Sequence, residues 1–145
     1  EPGRFCQSQQ CIYRFATKGV TVDDSPIDIS VTTQYLHEQS DPKEGKYAFA
    51  YTIGIENRGE EPLKLLSRHW IITDDNNQVE EVRGPGVVGL QPLIQPGQKF
   101  VYTSGAVLTT QFGTMQGSYE ILKPDGSKFA APIPAFLLSR PHSVH

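Results

Sequence analysis

Gly84, Gly86 and Gly89 stand in the spacing G-x-G-x-x-G within the stretch VRGPGVVGLQP, the pattern that cradles phosphates in dinucleotide-binding folds. There it works because it joins a strand to a helix whose free N–H groups and positive dipole end face the pyrophosphate. Here Pro92 and Pro96 follow closely, and a helix does not survive two prolines so placed. The chemistry still open to the loop is a concave nest of backbone N–H groups from Gly84, Gly86, Val87, Val88 and Gly89, less the donor that Pro85 lacks. Arg83, just before it, adds a bidentate partner for a phosphate or a carboxylate. The other reading is that the glycines supply positive φ in a bulged connection between strands.

A second constellation is SRHW. On a strand, Arg68 and Trp70 point one way and His69 the other. If Trp70 faces inward it anchors the core, and Arg68 then needs a partner or a route to the surface. In the functional reading Arg68, His69 and Arg83 form a cationic site beside the glycine loop, because a hairpin brings the end of RHW near VRG. Ser67 and Ser104 are the serines nearest these motifs, but no G-x-S-x-G elbow accompanies either, and no catalytic residue is assigned. His37, His69, His142 and His145 lack ligand spacing except for the last two, which lie on a tail. DDNN at Asp74–Asn77 lacks the later glycine and glutamate of a calcium loop and reads as a turn. HEQSDPKEGK is acidic enough to hold a hydrated magnesium loosely, yet a solvated loop explains it as well. No metal site and no cofactor are expected.

The elements that must position these residues are strands. Ile27, Ile29 and Val31 alternate with Asp28, Ser30 and Thr32, and Tyr47, Phe49, Tyr51, Ile53 and Ile55 share one face of YAFAYTIGIEN. LKLLSRHWIITD and VEEVRG flank DDNNQ as a hairpin, since Asp and Asn tolerate left-handed backbone. LIQPGQ reads as a turn, KFVYTSGAVL as a strand and TTQFGT as a loop. MQGSYEILKPDGSKFAAPIPAFLLS reads as a closing hairpin, with Pro132 and Pro134 restricting its last segment to an edge or irregular strand. Turns about every ten residues without helical periodicity predict an all-β sandwich of seven or eight short antiparallel strands, with a closed barrel as the near alternative.

The 145 residues suffice for one domain and are few for two. Residues 1–25 show neither period and read as a leader, flexible or added to the natural start, ahead of a domain at 26–145. A net charge of −3 argues against the basic face that nucleic acid requires. No apolar run approaches the roughly 20 residues of a membrane span, and no signal-peptide core opens the chain. Cys6 and Cys11 both fall in the leader, with no third or fourth ligand near them, and read as incidental thiols. A reducing compartment, the cytoplasm, follows as the expectation.

YAFAYTIGIENRG, LLSRHWIITD, VEEVRGPGVVGLQPLIQPG, YTSGAVL, GTMQGSYEI and IPAFLLS, in this order, resemble the ApaG family of small bacterial proteins, which are related to a domain of some eukaryotic F-box and polymerase-associated proteins. The resemblance runs from Ile27 to His145. It implies a fibronectin type III-like or immunoglobulin-like sandwich without an established enzymatic activity. It also implies links to cobalt and magnesium handling and to diadenosine tetraphosphate metabolism, and a suggested pyrophosphate loop at Gly84, Gly86 and Gly89. Three functions are therefore in view. The first is a non-catalytic module that binds an unidentified protein partner, as a monomer or an edge-strand dimer. The second is a binder of a phosphate-containing small ligand through the glycine loop, and the third a dinucleoside polyphosphate hydrolase, which would need clustered carboxylates that the sequence does not show beside the loop.

Overall fold

In the computed structural model, residues 25–141 are described. Most of the expected leader, Cys6, Cys11, His142 and His145 lie outside them. Eight strands follow in order: β1 (Ile27–Tyr35), β2 (Tyr47–Asn57), β3 (Leu63–Asp74), β4 (Val79–Pro85), β5 (Leu93–Ile94), β6 (Lys99–Leu108), β7 (Phe112–Leu122) and β8 (Lys128–Ser139). They form two antiparallel sheets, one ordered β1-β2-β6 and the other β4-β3-β7-β8, with β5 paired to the start of β3. This is the β-sandwich that the turn spacing predicts. Among the described residues the one helical element is a 3₁₀ turn at Pro42–Glu44, inside the expected loop and closed by Gly45 at φ 69°. No helix follows the glycines, and no helix among the described residues is long and apolar enough to cross a membrane.

Each strand's alternation becomes a buried face. Phe49, Tyr51, Ile53 and Ile55 of β2 meet Leu65 and Trp70 of β3 and Met115, Tyr119 and Ile121 of β7 in a single core. Trp70 sits at its centre, with ring centroids 5.4 Å from Tyr51, 5.8 Å from Phe136 and 6.3 Å from Tyr119. Asn57, fully buried, pins the turn after β2, donating to the carbonyls of Glu61 and Ile94 at 2.7 and 2.8 Å and accepting from Gly59 N–H. Two expectations are corrected. Phe112–Thr114 lie in β7, because pairing with Ser139, Leu138 and Leu137 outweighs their loop-like composition. Leu93–Ile94 form a strand, held by Leu63 and Lys64 rather than by local pattern. Pro132 and Pro134 do fall on an edge strand, β8.

The two sheets are joined through the core by a hydrogen bond of 2.5 Å between the hydroxyls of Tyr102 on β6 and Tyr119 on β7. Burial pushes the Tyr102 phenol up to about 12, and Tyr119 still further, because a phenolate there would be stripped of water. A raised folded-state value favours the neutral form. Its contribution to stability is complete below the ordinary value of 10.0 and is lost as pH rises through about 12. Stability is expected to fall in that alkaline window, with phenolate absorbance from these two residues rising together with unfolding. Tyr102→Phe strands the Tyr119 hydroxyl and should cost about 1–3 kcal/mol, whereas removing both hydroxyls should cost less than the single change. Urea titrations of the two variants check this.

Candidate functional site

The site is built on the β3–β4 hairpin. Its register sets Arg68 opposite Gly84, His69 opposite Arg83 and Trp70 opposite Val82. Period two then turns Arg68 and Trp70 toward the facing sheet and presents His69 and Arg83 together on the outer face. The inward residues change parity between Leu63 and Leu65 and the later Trp70, which requires one extra residue. A register shift between Leu65 and Ser67 supplies it at Leu66. The Leu66 carbonyl accepts Gly86 N–H at 2.8 Å and Gln91 Nε2 at 2.9 Å, so the bulge anchors the glycine turn.

Arg68 finds its partners in the same turn. Its guanidinium covers Gly84, where a Cβ would come within 2.9 Å of Nη1, and donates to the carbonyls of Pro85 and Gly86 at 3.0 Å each. Val87 and Leu90 exchange N–H···O=C bonds of 2.8 Å around Val88 at φ 42° and Gly89 at φ 80°. Two positive-φ residues inside such a pair make a type I′ turn. The N–H groups of Gly86 and Val87 are therefore already used within the protein. Val88 and Gly89 form the exposed tip.

Below this turn, the outer face of the larger sheet holds a depression of about 500 Å³ bordered by Ser67, His69, Arg83, Ser118, Glu120 and Lys128. Cross-strand pairing puts Ser67 beside Glu120 and His69 beside Ser118. His69 Nε2 lies 3.0 Å from Glu81 Oε1, and Arg83 Nη2 reaches the same oxygen at 3.5 Å. The hydrogen bond to His69, with the charges of His69 and Arg83, holds the Glu81 carboxyl below its ordinary range. Ser67 Oγ approaches Glu120 Oε1 at 3.4 Å, so that serine is paired with a carboxylate and not with a histidine. His69 and Arg83 meet as the hairpin predicts, while Arg68 serves the glycine turn. Ser118, Glu120 and Lys128 join them unannounced by the sequence, since the order of β3, β7 and β8 is a non-local fact, whereas Glu81 lies within the same hairpin and its VEEVRG position could have pointed to it. Among the described residues, no three His, Cys, Asp or Glu side chains are grouped as a metal site.

The ApaG domain model matches residues 37–123, which hold the β3–β4 hairpin and the part of the depression built by β3, β4 and β7. The chain belongs to the ApaG family. The Protein ApaG of Pseudomonas syringae pv. tomato is 59% identical over 119 residues, covering 82% of this chain and 94% of that relative. That of Dechloromonas aromatica is 56% identical over the same coverage. A Bordetella pertussis protein solved by crystallography under the name ApaA superposes with a TM-score of 0.79 at 50% identity, covering 82% of this chain and 98% of that one. The sandwich is thus shared with a solved relative over most of this chain and nearly all of that one.

Proposed function

We propose that this ApaG-type domain is a non-catalytic module of the bacterial cytoplasm that binds a protein partner through the outer-face depression and the glycine turn at its rim. The observation that carries the reading is the charge pattern of the depression. Arg83, Lys128 and Glu120 border it with His69, and Glu81 beside it bonds both His69 and Arg83, all on strands rather than loops. A surface of both signs complements a polypeptide segment that itself carries both signs. A pyrophosphate would meet two carboxylates there, and at the glycine turn it would find the amides of Gly86 and Val87 spent on Leu66 and Leu90.

A photo-crosslinking residue at Ser118, inside the depression, is expected to give a discrete adduct in cells, and the same residue at Thr32 on the opposite sheet is not. Arg83→Glu combined with Lys128→Glu should abolish the adduct. Identical adducts from both positions, or none from Ser118, would remove the reading. Saturable amide shifts at Val88 and Gly89 with millimolar pyrophosphate would favour the small-ligand function instead.

A further inference from the structure

We propose that the free edge of β6 pairs with β6 of a second copy, joining two three-stranded sheets into one of six strands. Among the described residues β6 pairs with β2 alone. Its other edge, ten residues or roughly 33 Å long, offers the unpaired backbone donors and acceptors of alternate residues, the others being bonded to β2. Soluble proteins blunt such edges with proline, charge, bulges or brevity. The other exposed edges here do so: β8 carries Pro132 and Pro134, and β4 carries Glu80, Glu81 and Arg83 and ends at Pro85. β1 lies against β8 of the facing sheet. β6, KFVYTSGAVL, has no proline, and its one charge is Lys99 at the end.

The strand is also complementary to itself. A two-fold axis perpendicular to the sheet at Ser104 sets Val101 opposite the partner's Val107, and Val107 opposite the partner's Val101, on the outer face. These are two of the most exposed large apolar side chains of the domain, at 55% and 59%. Thr103 then faces the partner's Gly105, and Lys99 faces the partner's Thr109, so no like charges oppose each other. Moving the axis by one residue, to Thr103, sets Val107 against the partner's Lys99 and loses both valine pairs. β-Branched cross-strand pairs are the stabilising unit of a sheet, and like charges directly opposite destabilise it.

Sedimentation velocity on the full chain across micromolar to hundreds of micromolar concentrations tests the pairing. The unmodified protein should dimerise within this range. Val101→Glu with Val107→Glu sets glutamates opposite one another twice and should weaken dimerisation by roughly tenfold or more. Val101→Lys with Val107→Glu sets opposite charges across the same two pairs and should restore it. Both variants change exposed side chains, and circular dichroism confirms their fold. A protein that stays monomeric throughout, a double-glutamate variant that dimerises as well as the parent, or a lysine–glutamate variant that does not recover would each overturn the proposal.

Discussion

Trp70→Ala is expected to lower the stability of the domain by about 3–5 kcal/mol, the range for emptying a large aromatic from a close-packed core. Few other single truncations remove as much. The indole is 2% exposed and touches rings from both sheets, Tyr51 on one side and Tyr119 and Phe136 on the other. Its removal leaves a cavity bounded by strands that cannot close over it without breaking register. Trp70→Phe makes the informative comparison. The indole N–H is buried with no hydrogen-bond partner among the described residues, and such a group carries a desolvation penalty of its own. Phenylalanine keeps most of the ring contact and discards the orphan donor, so the cost should fall to about 1–2 kcal/mol. Urea unfolding of both variants decides it. Equal costs for Phe and Ala would mean that the core needs the whole indole, orphan N–H included.

Much of this architecture is legible in the sequence because its strands are half-buried, and a half-buried strand prints its period on the chain. The alternation of Tyr47 to Ile55 and the DDNN turn between β3 and β4 each mark an element where the structure has one. The adjacency of His69 and Arg83 follows from the same hairpin. Legibility stops where pairing is set from a distance. Gly113 looks like a loop residue, yet it lies in β7 where a Cβ would press on the Thr73 carbonyl of the neighbouring strand. Ser118, Glu120 and Lys128 alternate correctly on their own strands, but their sharing a depression with His69 depends on β7 lying between β3 and β8. The demand that Arg68 find a partner could be read from its inward position beside Trp70. That the partners are backbone carbonyls of the glycine turn could not, because the Leu66 bulge carries no side-chain signature.

Gly86→Ala is expected to cost about 3 kcal/mol, while the same change at Gly89 costs about 1, a difference that separates backbone necessity from ligand binding. Both residues have positive φ, 61° and 80° respectively, so any L side chain strains either one. At Gly89 the added methyl meets open space. At Gly86 it is driven into the Leu90 carbonyl, the acceptor of the Val87 N–H. Relieving that contact breaks the Val87–Leu90 pair and pulls Gly86 N–H from Leu66, so strain and lost hydrogen bonds add. Gly84→Ala lies between them, because its obstacle is the flexible end of Arg68, and moving it forfeits the bonds to Pro85 and Gly86. Urea midpoints in the order Gly89→Ala, Gly84→Ala, Gly86→Ala, from most to least stable, would explain the G-x-G-x-x-G spacing by the turn itself: one glycine beneath an arginine, one against a carbonyl and one at the tip. Equal and small losses at all three would leave the fold indifferent to them, and the spacing would then call for a ligand.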